Sequence, residues 1–94
     1  MPHARKQLPV FPGAGELRYR GFKGQVDYEI HGEPTSLRYG PARLRGQITA
    51  SPEIAENAFR AGEGELTLES GVVYRLTMLG YTPGAQVTYF EMRI

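Results

Sequence analysis

The chain has 94 residues, is 40% apolar and 22% charged, carries a formal net charge of +1 and contains no cysteine. That length supports one domain burying roughly 60 to 70% of its extended surface, and the missing cysteine excludes a disulfide framework, a thiol nucleophile and cysteine-ligated zinc. No apolar run approaches the roughly 18 to 20 residues that span a bilayer, and residues 1–12 lack the continuous apolar segment of a signal peptide, so a soluble cytoplasmic protein is expected.

Residues 1–12 contain Pro2, Pro9 and Pro12 and no sustained period. They predict an extended N-terminal arm, anchored at most by Leu8, Val10 and Phe11, ahead of a single β-rich domain over 13–94. From Glu16 the pattern has period two, the mark of half-buried strands. Leu17 and Tyr19 alternate with Glu16, Arg18 and Arg20, and Val26, Tyr28 and Ile30 alternate with Gln25, Asp27, Glu29 and His31. Leu37 and Tyr39 flank Arg38 as a further short strand, and Leu44, Gly46 and Ile48 alternate with Arg43, Arg45 and Gln47. A helix is expected over 52–61, with Ser51 as its N-cap, Pro52 in its first turn and Gly62 closing it; Ile54 and Phe59 are expected to pack on the sheet. Beyond it, Leu66 and Leu68, then Tyr74, Leu76 and Met78, give two more strands, and a last one runs over 86–93. In that strand Tyr89 beside Phe90 breaks the alternation, which predicts either cover on both faces or a bulge.

Short glycine- and proline-rich gaps between the runs favour antiparallel neighbours. The expected architecture is therefore mainly β, with about six or seven antiparallel strands and one short helix, in a small barrel or curled sheet. An oligonucleotide-binding type of barrel fits the element order if residues 17–30 form one long strand bent at Gly21 and Gly24. There is also an internal echo, GAGEL at 13–17 and GEGEL at 62–66. Composition alone produces such echoes between glycine-bounded strands, and an ancestral duplication is the competing explanation. Both segments lack the spacing and lysine of a phosphate-binding loop and read as turns leading into strands.

The charge is uneven. Residues 1–46 carry eight Lys and Arg against four carboxylates, an excess of +4, and the rest carries three against six, −3. On the alternation, Arg18, Arg20, Arg38, Arg43 and Arg45 project from the early strands with Lys23 at a turn beside them, and these six residues are the candidate binding face. Arginine offers planar, bidentate recognition of carboxylate or phosphate. Stacking aromatics are the weak ingredient for nucleic acid, because Tyr19, Tyr28 and Tyr39 alternate toward the core; Phe22 and Tyr81 lie at turns. Val73, Leu79, Val87 and Tyr89 fall on the outer side of the last strands, open either to the arm or to a partner, and the last strand could pair with a second copy across a sheet edge. His31 with Asp27 and Glu29, and Ser36 across a turn, are the only residues from which a catalytic or metal set can be drawn, and the expectation is no enzyme, no cofactor and no metal. The expected role is a non-enzymatic interaction module for a protein partner or another copy, the alternative being a single-stranded nucleic-acid binder on the arginine face, with no membrane association.

Overall fold

The computed structural model describes residues 10–39 and 43–93, the side chains of Arg38 and Tyr39 excepted. Six strands, β1 (Val10–Tyr19), β2 (Phe22–His31), β3 (Leu44–Thr49), β4 (Glu63–Thr67), β5 (Val73–Tyr81) and β6 (Val87–Arg93), close into a barrel in the order β1-β2-β3-β6-β5-β4. Every neighbouring pair is antiparallel. The helix α1 (Pro52–Ala61) joins β3 to β4. No helix among the described residues is long and apolar enough to cross a membrane.

The alternation read from sequence sets the two faces of the wall. Leu17, Ile30, Ile48, Leu66, Leu76, Phe90 and Met92 point inward and are almost completely buried, and Tyr19 and Tyr28 join them as expected. The bent 17–30 strand is not formed. A two-residue turn at Arg20 and Gly21 divides it into β1 and β2, which is possible because Gly21 takes φ +84°, a value other residues adopt only with strain. Strand β1 starts inside the expected arm, with Val10, Phe11 and Pro12 paired to His31, Ile30 and Glu29. Proline is tolerated there because its missing donor faces no neighbouring strand. GAGEL likewise lies within β1, and GEGEL runs from the cap of α1 into β4.

Leu37 to Tyr39 belong to a 3-10 helix (Pro34–Tyr39), not to a strand. The Ser36 N–H bonds back to the Glu33 carbonyl, and the Tyr74 hydroxyl donates to the Pro34 carbonyl from inside the barrel at 3.3 Å. Buried Leu37 thus plugs one end instead of lining a wall. Whether Tyr39 lines the core, and what Leu8, Ile94 and the Gly40–Pro41 turn contribute, lies outside the described residues. At the other end sits α1, with the Ser51 hydroxyl accepting from the Ile54 N–H and Gly62 bonding back to Ala58 and Phe59. Its buried residues are Ala55 and Ala58, while Phe59, expected to pack on the sheet, is 40% exposed and stacks on Tyr81. Two alanines let the helix axis approach closely enough for the Thr88 hydroxyl to donate to the Ala55 carbonyl at 2.6 Å. The irregularity expected near Tyr89 is a bulge in its partner, between Met78 and Gly80 of β5. Strand β6 itself alternates cleanly and is paired on both sides, so it offers no edge to a second copy.

The strand order is unchanged when β1 exchanges with β4, β2 with β5 and β3 with β6, so the barrel is two three-stranded meanders related by a pseudo-two-fold axis. The axis passes through the Leu17–Leu66 pair, flanked by Glu16 opposite Thr67 and Arg18 opposite Glu65. Followed through β2 and β5, the same relation makes Gln47 the counterpart of Tyr89, and these two face each other in the β3/β6 ladder. The echoed GAGEL and GEGEL segments are therefore the two strands that meet at the β1/β4 seam. Their second glycines explain the shared sequence. A methyl at Gly15 would run into the Thr67 carbonyl, and one at Gly64 would come within 2.7 Å of the Arg18 carbonyl oxygen, its two-fold mate. Gly64→Ala is expected to cost about 1–3 kcal/mol in urea unfolding, the usual penalty for forced overpacking. Gly80→Ala, where a new methyl meets nothing within 4 Å, should stay within about 0.5 kcal/mol of the parent.

Candidate functional site

In an antiparallel ladder, residues directly opposite each other point to the same face and stand about 5 Å apart. The registers therefore place Lys23 of β2 beside Arg18 of β1, Arg18 beside Glu65 of β4, Glu65 beside Arg75 of β5, and Arg75 beside Arg93 of β6. All five are exposed on the outer wall. They form one transverse row with four cations and a single carboxylate. Together with Arg20 and Glu63, the residues Arg18, Glu65, Arg75 and Arg93 line a surface cavity of about 410 Å³. A second cleft of about 360 Å³, between the β1/β2 turn and α1, shares Tyr19 and Arg20 with it and adds Phe22, Asn57 and Arg60.

Among the described residues, none of Arg18, Arg20, Lys23, Arg75 or Arg93 has a carboxylate within 4.0 Å, whereas Arg43 pairs with Glu91 at 2.9 Å and Arg60 with Glu56 at 2.9 Å. Arg75 and Arg93 are directly opposed like charges, an arrangement that destabilises a sheet unless an anion sits between them. Tyr19 adds no charge to the cavity, because burial first, and the nearby Glu53 carboxylate second, push its phenol above the ordinary value.

The two-fold relation supplies an internal comparison. It maps Lys23, Arg18, Glu65 and Arg75 onto Val73, Thr67, Glu16 and Gln25, which also form a continuous row on the other flank of the seam. One backbone arrangement thus occurs twice, once with three cations and once with none. The fold does not demand arginine at these places.

Of the six residues read from sequence, Arg18, Arg20 and Lys23 come together at this site. Arg45 lies on a different row between His31 and Glu91, and Arg43, just before β3, is held by Glu91. The side chain of Arg38 lies outside the described residues. Arg75 and Arg93 were missed because they belong to the half of the chain with acidic excess; the signal for them was the GAGEL and GEGEL echo, which fixes the seam and hence the register across it.

Elsewhere the sequence candidates are scattered. Val73, Leu79 and Tyr89 are exposed, Val87 is half-buried, and Val10 and Phe11, paired into the wall beside β2, are themselves exposed and do not cover them. Phe22, expected at an open turn, stacks on Tyr19 with ring centres 4.8 Å apart and is half-buried. His31 approaches Glu29 at 4.0 Å on the open surface, and the Ser36 hydroxyl donates to the Glu33 carbonyl. Among the described residues no three His, Cys, Asp or Glu side chains are grouped so as to hold a metal. Comparison of the chain with protein-family models, with curated proteins and with solved structures returns no match to any of them.

Proposed function

We propose that this chain is a non-enzymatic β-rich interaction module that docks an acidic segment of a protein partner on the row Lys23, Arg18, Arg75 and Arg93. The observation supporting it most directly is the Arg75–Arg93 pair, a like-charge juxtaposition that the fold does not need, since the counterpart of Arg75 is Gln25. Two adjacent guanidiniums form a fork for a carboxylate, and each charge-assisted bond adds orientation as well as affinity. Glu63 and Glu65 make the cavity mixed in sign, which suits a protein segment carrying both charges. A cytoplasmic setting, drawn from the cysteine-free composition, belongs to the same proposal.

Single-stranded nucleic acid is the competing ligand, and it is less well served. Its backbone would meet those two glutamates, and the aromatic rings nearest the row, Tyr19 and Phe22, are stacked on each other instead of presenting a free face for a base. The oligonucleotide-binding plan on which that alternative leaned has five strands, where this barrel has six. A fluorescence titration separates the two. A labelled glutamate-rich 12-residue peptide is expected to bind at low salt and to weaken as salt rises, while a 12-nucleotide single strand binds more weakly than the peptide under the same conditions. Tighter binding of the oligonucleotide would replace the proposal with its alternative, and binding of neither at low salt would end both.

A further inference from the structure

The β1/β4 seam is the shortest ladder of the barrel. Only Glu16, Leu17 and Arg18 pair with β4, whereas β1 pairs with β2 along its whole length and β3 with β6 over Leu44 to Thr49. Before Glu16, β1 continues beyond the end of β4, and its described hydrogen bond on that side runs from the Ala14 N–H to the Glu69 carboxylate at 2.9 Å. Short ladders open locally at lower free energy than long ones, so the seam is where the two meanders part first.

The cationic row crosses that seam. Lys23 and Arg18 stand on the side of the first meander, Arg75 and Arg93 on the side of the second, with Glu65 as the one carboxylate in the row between them. Across the seam itself Arg18 faces Glu65, an attractive pair, and Lys23 on one side and Arg75 and Arg93 on the other leave an excess of cations flanking it. With a polyanion bound, cations on both sides are attracted to the same ligand, which adds a link across the seam. The two-fold mate of the row has no cations to link, because Thr67, Val73 and Gln25 are neutral and Glu16 is a carboxylate.

We infer that an acidic ligand on this row acts as a clasp, coupling its binding to closure of the β1/β4 seam. This rests on the docking proposal above and adds a regulated opening to it. A ligand that binds only the closed seam suppresses opening by the factor 1 + [L]/Kd, so at about 100 times Kd the seam should exchange about 100-fold more slowly.

Amide hydrogen exchange of the intact chain, with and without the glutamate-rich peptide at that excess, reads this directly. Slowing toward 100-fold is expected for the amides of Glu16, Arg18, Glu65 and Thr67, whose N–H groups face the seam, with those of the 82–86 loop unchanged. Arg18→Gln provides the second arm. It removes one jaw but leaves Arg75 and Arg93, so peptide at a re-determined 100-fold excess over Kd should still bind while slowing the seam less than 10-fold. Peptide bound by fluorescence with seam exchange unchanged would overturn the clasp and leave the docking proposal standing. Absence of peptide binding would overturn both, and an Arg18→Gln variant slowed as much as the parent would show that the coupling does not pass through the row.

Discussion

Leu17→Ala is expected to lower the unfolding free energy by about 2–5 kcal/mol, the range for truncating a buried leucine. Leu17 is fully buried, faces the equally buried Leu66 on the pseudo-two-fold axis, and is the middle residue of the three that close the seam. Its neighbours have little freedom to collapse into the space, because the backbones on either side are already in contact at Gly15 and Gly64. A domain of this length has a total stability of about 5–14 kcal/mol, so the variant should have a sharply reduced urea midpoint. Leu66→Ala should behave alike, and the double substitution should cost less than the two together, since both empty one shared volume. A loss below about 1 kcal/mol for either single change would mean that the seam contributes little to barrel closure. Leu79→Ala, on an exposed bulge residue, is the neutral comparison.

For binding, the largest effect is expected from Arg75→Glu. The new carboxylate stands opposite Arg93, so it both removes one guanidinium from the ligand and occupies the other within the chain. Hydrogen bonds to charged groups are worth about 1.5–3 kcal/mol, roughly 10- to 100-fold each, so peptide affinity should fall at least 100-fold. The Arg75–Arg93 like-charge pair becomes an opposite-charge pair while the Glu65–Arg75 opposite-charge pair becomes a like-charge one, so the two changes offset and the thermal midpoint should change little. A large loss of affinity with little change in stability is characteristic of a position held for binding and not for the fold. Arg45→Glu, on the row between His31 and Glu91, should change peptide affinity less than threefold by comparison. Equal losses from the two reversals would mean that general charge, not the row, attracts the peptide.

Local structure was legible wherever the sequence pattern was long. Val26, Tyr28 and Ile30 lie inside the barrel with charged neighbours outside, and the Ser51, Pro52 and Gly62 signals bound the helix where it forms. The 3-10 helix was not legible, because alternation over Leu37, Arg38 and Tyr39 is too short to tell a strand from a tight helical turn whose inward residue plugs a barrel end. The site was legible only in part for a different reason. Charge counted along the chain separates Arg18 from Arg75 by more than fifty residues and assigns them to halves of opposite sign, while the ladder sets them two strands apart. Pairing between distant strands is decided by barrel closure, which leaves no local trace except the glycine echo at the seam.

The overhang of β1 beyond β4 leaves backbone groups that a further strand could join. An incoming strand needs donors on the edge it joins, and the N–H groups facing that side come from alternate residues, Val10, position 12 and Ala14. Position 12 is proline and has none, and the Ala14 N–H is already taken by Glu69, so one donor in three remains. On the opposite overhang, β2 runs unpaired toward β3 from Phe22 to Val26, and Lys23 sets a charge there that an approaching strand would have to bury. The same lysine thus sets a charge on the open edge of β2 and stands at the end of the cationic row.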